Sequence, residues 1–286
     1  MELTSEVPLA PPRDAATVVL LRDGLQGLEV FLVKRHGLSD VLGGAYVFPG
    51  GKLDAADLLL ASSLDRTSGD LHSALGEPDT PQATAMGLFV AAVRAAFAES
   101  GSLFSTQPAA MQAAAGGPPD PSFNKRVQTL GLTLLTGPLV PWTRWITPKM
   151  PSVSSKRFDT RFFVAEVPAD QVARHDDFET TASAWLSPRQ ALQQYWDHEI
   201  ELAPPQMMSL AQLARHGNVQ SVLQEAGGRP PPRILPESYD ENGERLICYP
   251  GDPRHSVHQV AMPGPTRVYF RNRRFEPADG LEALFS

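Results

Sequence analysis

The 286-residue chain has a single cysteine, Cys248, which excludes an intramolecular disulfide and a thiolate metal cluster. Positive charge is also scarce. The 25 Lys and Arg stand against 32 Asp and Glu, for a formal net charge of -7 and a pI of about 5.5. There is therefore no basic footprint to invite nucleic acid or an anionic membrane. No apolar run approaches the ~18 to 20 residues of a membrane span. The opening MELTSEVPLAPPRDAA lacks the charged and apolar halves of a secretory signal, and the closing Ala-Leu-Phe-Ser is not an obvious peroxisomal address. The expectation is a cytoplasmic protein. Internal repeats, zinc-ligand spacing, a G-x-S-x-G elbow and a P-loop are all missing, which removes the serine-hydrolase and P-loop readings.

With 42% hydrophobic and 20% charged residues, the composition is that of a globular protein, long enough for one large domain or a domain with appendages. Val18 to Arg22 and Leu28 to Lys34 flank the polar turn DGLQG and predict an antiparallel hairpin. Tyr46 to Phe48 predicts a short strand, ended by Pro49, Gly50 and Gly51, the two glycines reading as a tight turn that permits positive φ. Residues 58 to 84, rich in Ser, Asp, Gly and Pro, read as a surface insertion with a short helix of its own. Met86 to Ser100 is the clearest helix, stopped by Gly101. VPWTRWITP and DTRFFVAEV predict strands, and Ala184 to Leu186 a short extended piece. Helices are expected from Pro188 to Tyr195, Pro205 to Arg215 and Val219 to Glu225, followed by strands and turns. Strands and helices without regular alternation predict an α/β or α+β sandwich around a mixed sheet.

FPGGKLDAAD and VRAAFAESG resemble the two halves of the Nudix hydrolase box, G-x5-E-x7-R-E-U-x-E-E-x-G-U, where U is aliphatic. Gly51, Arg94, Glu99 and Gly101 match box positions, and Asp57 takes the place of the first glutamate. An insertion separates the halves, as in the peroxisomal coenzyme A diphosphatase-like branch. WTRWITP, SKRFDTRFFVA and EIELAPPQ are similar to further segments of that branch. The resemblance implies an α/β/α Nudix sandwich over residues 15 to 216, an insertion within the box at about 58 to 84, and a C-terminal extension over 217 to 286 packed on the same domain. It also implies a small-molecule diphosphate substrate and Mg2+ or Mn2+. The stricter coenzyme A signature has an arginine where this chain has Asp40, so coenzyme A itself is one expectation among diphosphates.

Carboxylates at i, i+3 and i+4 share one helix face and converge on hard cations. Here those positions are Ala95, Ala98 and Glu99, so two of the three are methyl groups. The expected metal set is then Glu99, the backbone of Gly50, Asp57, and Glu179, which stands six positions before Trp185 as a loop glutamate does in some Nudix enzymes. Asp54 and Asp159 offer partial compensation. Glu99, Glu179 (binding metal or taking the proton) and Arg94 form the expected catalytic set, with Arg94 reading as orienting more than reacting. Gly51 and Gln206 are the expected substrate contacts. Glu99 has a plain reading as a solvated helix residue, Trp142, Trp145, Phe162 and Phe163 as core, and His255 and His258 as loop residues. Two functions follow: a metal-dependent hydrolase with weakened activity, or a Nudix-fold binding or regulatory module that lost turnover.

Overall fold

The computed structural model describes residues 10–37, 42–113, 123–150, 156–175 and 180–286. Asp40 and Glu179 fall outside them.

β1 (Arg13–Gly24) and β2 (Gly27–Arg35) form the expected hairpin around Leu25 and Gln26, with Leu21 opposite Val30. β1 runs longer than expected because Ala15 and Ala16, weak strand formers, are enclosed by neighbours on both sides. On one side lies β4 (Gly50–Lys52), antiparallel to β1, and on the other β6 (Phe158–Glu166), parallel to it. β3 (Tyr46–Val47) and β7 (Thr180–Leu186) pair with β2, and β5 (Val140–Ile146) lies between β6 and the short β8 (Arg233–Ile234). This sheet mixes parallel and antiparallel pairs. A second, antiparallel sheet holds β9 (Glu237–Glu241), β10 (Glu244–Cys248), β11 (Arg267–Arg271) and β12 (Arg274–Glu276).

Strand periodicity divides the core in two. Ala16, Val18 and Leu20 of β1 face one side, and Val19 and Leu21 the other. On the first side, after α1 (Ser68–Leu75), lies α2 (Gln82–Ser100), apolar almost all round and ended by Gly101 at φ 70°. By length and hydropathy α2 is long enough to cross a membrane, contrary to the reading of the bare sequence, but 72% of that stretch is buried inside the protein. It is the core helix of this layer, with α3 (Pro108–Ala113) and α4 (Phe123–Thr129) after it. The opposite layer holds α5 (Pro188–Trp196), α6 (Pro204–Leu213) and α7 (Val219–Gly227). Ser187 accepts from the Gln190 amide while the Gln190 side chain accepts from the Ser187 amide, a capping box that fixes the start of α5. Ile247, Tyr249, Val268, Phe275 and Leu284 join this second core, so the C-terminal extension packs on the same hydrophobic body as residues from β1.

Two expectations need correction. α2 begins at Gln82, four residues before Met86, because the turn after Pro81 is already helical. The insertion contributes no strand to the central sheet, yet it is no surface loop. Leu60, Leu71 and Leu75 are at most 1% exposed, and its Glu77 enters an ion-pair network. Arg161 Nε and Nη2 donate to Glu77 at 3.0 and 2.7 Å, and Arg161 Nη1 to Asp14. Arg144 pairs with Asp159 at 2.6 Å and with Glu77 at 2.9 Å. With Arg161 3% exposed, this network ties the insertion to β1, β5 and β6.

Candidate active site

The end of α2 meets the start of β4. The Gly50 amide donates to Glu99 Oε2 at 3.4 Å, and Glu99 is 4% exposed. The helix therefore holds a buried carboxylate against the backbone of the glycine segment, forty-nine positions away in sequence. Gly50 and Gly51 are strand residues paired with Thr17 and Ala16, and neither has positive φ. The expected tight turn is corrected on this point. Glycine is needed at 50 for space: a Cβ there would lie 2.5 Å from Thr17 Oγ1 and 3.1 Å from the Ala16 carbonyl. Gly51 backs onto α2, where a Cβ would lie 4.0 Å from that of Ala95.

Asp57 does not stand open to a cation. It is fully buried. Its Oδ1 accepts from Arg94 Nε at 2.9 Å and from Asn124 Nδ2 at 3.3 Å, and its Oδ2 accepts from Arg94 Nη2 at 2.8 Å and the Asp54 amide at 2.9 Å. Four donors occupy its lone pairs, so the expected metal role of Asp57 gives way to an anchoring one. Arg94 Nη2 also donates to the Lys52 carbonyl at 2.9 Å. Arg94 thus finds its carboxylate in Asp57, not beside itself on the helix, and clamps β4 to α2. That geometry makes it a positioning residue rather than a reacting one. Asp159 is held by Arg144, and Asp54 lies 3.7 Å from Lys52 and 3.6 Å from Arg94.

Of the expected carboxylate positions, Ala95 is 3% exposed while Ala98 is open to solvent. No group of three or more His, Cys, Asp or Glu suited to a metal ion occurs among the described residues. The ring nitrogens of His255 are both engaged, Nε2 donating to the Leu235 carbonyl and Nδ1 accepting from the Val257 amide.

Beside Gly50 a cleft opens on the α6 side of the sheet. Thr17, the strand partner of Gly50, lines it together with Trp145, Phe158 and Phe162 from the sheet, and the start of α6 with Gln206 closes one wall. Trp145 and Phe162 are therefore core and cleft surface at once, whereas Phe163 points to α2 and packs on Phe89 at 4.8 Å. Gln206 lies in the cleft wall, where the sequence reading put a substrate contact; Gly51 does not. Asn124 and Thr17 were not anticipated. Thr17 had one signal, a lone hydroxyl inside the apolar run of β1. Asn124 had none.

The fold and site can be set beside known proteins. The NUDT19 Nudix domain family matches residues 12–213. The human acyl-coenzyme A diphosphatase NUDT19 is 27% identical over 247 residues, covering 71% of this chain and 65% of that protein. Its Xenopus laevis namesake is 34% identical over 82 residues, covering 28% of this chain and 22% of that protein. The chain thus spans less than two thirds of the length of these relatives. The crystal structure of a NUDIX hydrolase from Alicyclobacillus acidocaldarius superposes with a TM-score of 0.60 at 24% identity, covering 76% of this chain and 97% of that one, which shows the shared fold. The family match spans well over half of the sequence, and the chain belongs to the Nudix superfamily, in its NUDT19-like branch.

Proposed function

We propose that this protein is a metal-dependent hydrolase of nucleoside diphosphate-linked compounds of the coenzyme A type, with turnover reduced by the alanines at 95 and 98. The observation that carries the reading is the Glu99 carboxylate, buried and set against the Gly50 amide. Family membership and the similarity to the human and Xenopus laevis acyl-coenzyme A diphosphatases support the substrate class.

The donor set suits a cation that arrives with its substrate. Magnesium is commonly held by one or two carboxylates plus substrate phosphates, keeping several waters. Glu99 supplies one carboxylate here, and Glu179 is our second, proposed from its sequence position. Mg2+ or Mn2+ bound there would neutralise charge developing on the diphosphate oxygens and polarise the attacking water. The protein's own part is positional. Glu99 would hold its share of the cation and the diphosphate beside Gly50. Arg94 and Asp57 keep β4 against α2, and the cleft next to Thr17 takes one moiety of the substrate. Water adds to one phosphorus, the bridging P–O bond breaks, and the two products leave as phosphate monoesters.

A second reading, a ligand-binding or regulatory module, is favoured by the same two methyl groups, since removing positioned charged groups costs about 10²- to 10⁴-fold in rate. The test is metal-dependent product formation across a panel of coenzyme A, acyl-coenzyme A and nucleotide-sugar diphosphates, for the natural protein and Glu99→Gln. Slow turnover of coenzyme A compounds, lost in Glu99→Gln, supports the hydrolase. Tight diphosphate binding with no turnover supports the module. Turnover untouched by Glu99→Gln would remove Glu99 from the mechanism.

A further inference from the structure

The cleft beside Gly50 has a volume of about 180 Å³, below the roughly 300–1,000 Å³ typical of a site for a whole drug-sized ligand. It has room for a single moiety. Its lining is mostly apolar and partly aromatic, with Trp145 and Phe162 at 6.4 Å between ring centroids. Two polar groups in that lining are unusual. Gln206 is 8% exposed and Trp145 3% exposed, yet neither Gln206 Oε1 nor Trp145 Nε1 has a hydrogen-bond partner. Behind them, Ser209 Oγ, one turn further along α6, and Tyr249 OH, whose ring meets that of Trp145 at 6.0 Å, are also unpartnered. Buried polar atoms are ordinarily satisfied. The Gln206 and Trp145 atoms are both enclosed, so a side chain must turn into the cleft before a ligand can complete its hydrogen bond.

The Gln206 amide turns about a broad terminal torsion, so its oxygen can swing to a donor in the cleft without disturbing α6. A carboxamide matches the adjacent amino donor and ring-nitrogen acceptor of an adenine edge in a bidentate pair, and Phe158, the partly exposed aromatic of the lining, offers a face for stacking. A flexible acyl or pantetheine chain presents no such flat edge. We infer that this cleft is the subsite for the adenine ring of the substrate, with Gln206 as its specificity-determining residue and the aromatic lining as its apolar wall. The inference rests on the hydrolase reading for its substrate class. It deepens that reading by assigning which end of the molecule enters beside Thr17 and which end extends away.

The test reads binding, not turnover. The 286-residue chain in chelator, without divalent metal, is titrated calorimetrically with AMP, with the matching nucleotide lacking the 6-amino group, and with phosphopantetheine. We expect AMP to bind at least about fivefold more tightly than the amino-free analogue, the low end for one good bidentate pair. Gln206→Met, similar in volume but unable to pair, should bring AMP to the level of the analogue. The comparison of the two nucleotides on the natural protein needs no variant, so misfolding cannot obscure it. Equal binding of the two nucleotides, or binding of phosphopantetheine alone, would overturn the assignment. So would an AMP preference that survives Gln206→Met. Selective AMP binding by a protein without turnover would sustain this inference while defeating the hydrolase reading, so the two can fail separately.

Discussion

At the scale of single residues, the site depends on two contacts of different kinds. Gly50 is a matter of space. In Gly50→Ala the new Cβ would meet both Thr17 and the Ala16 carbonyl, so β4 must shift and take its amide away from Glu99. We expect a loss of about 1–3 kcal/mol, the usual cost of overpacking, accompanied by loss of any activity. Chemical denaturation and a product assay would read both, and an unperturbed variant would contradict the packing argument. Asp57 is a matter of charge. Asp57→Ala deletes a fully buried carboxylate and takes from Arg94, whose side chain is 21% exposed, its shortest ion pair, leaving Asp54 at 3.6 Å. Because Arg94 keeps some water, we expect roughly 3 kcal/mol, the low end for breaking a buried pair. The same experiment on Asp54, half exposed in its ion pairs, should change stability by less than about 1 kcal/mol. The meeting of Glu99 and Gly50 was legible in the sequence because the segments on either side of the insertion resemble the two halves of the Nudix box. The Asp57–Arg94 pair was not, since residues 37 positions apart carry no local spacing signal.

At the scale of elements, period and capping carried the reading well where one face decides the fold. The β1–β2 hairpin, α5 after Ser187, and α7 after Asn218 all announce themselves through alternation, capping side chains or both. The reading went astray where tertiary contacts override composition. The insertion looks like loop because Ser, Asp, Gly and Pro surround its few leucines, yet Leu60, Leu71 and Leu75 lie in the core beside α2. Leu71→Ala should accordingly cost about 2–5 kcal/mol, as in other cores, where a surface loop would lose almost nothing. Glu77→Gln should destabilise as well, because Arg161 and Arg144 both converge on that carboxylate. Thermal unfolding of the two variants separates an insertion that is built into the fold from one that merely decorates it.

At the scale of the whole molecule, the second sheet and the central sheet share one core, and the ion pairs of the C-terminal part tie its loops together. Asp252 shows this. Burial opposes its ionisation, but the Arg267 guanidinium donates two hydrogen bonds to it and the Arg254 amide a third, and together they hold its carboxyl below the usual range. A carboxyl lowered in the folded state contributes stability that is full above its unfolded value, about 3.9, and is lost as pH falls through the folded value. The melting temperature should therefore fall more steeply below about pH 4 in the natural protein than in Asp252→Asn, which starts lower at neutral pH. Parallel acid profiles would contradict it.

The central claim concerns one carboxylate on a helix that has alanine at its two companion positions. The most direct measurement compares metal-dependent hydrolysis of coenzyme A compounds by the natural protein, Ala98→Glu, the Ala95→Glu and Ala98→Glu double variant, and that double variant carrying Glu99→Gln. Ala98 is open to solvent and accepts glutamate freely, whereas Ala95 is 3% exposed and faces Gly51, so a carboxylate there enters the site itself. Neither change costs much helix propensity. We predict a gain of at least about 10²-fold in the double variant, the low end for a positioned charged group, and its disappearance with Glu99→Gln. A gain that survives Glu99→Gln, or high turnover by the natural protein that neither substitution alters, would contradict the assignment of this helix as the reacting centre.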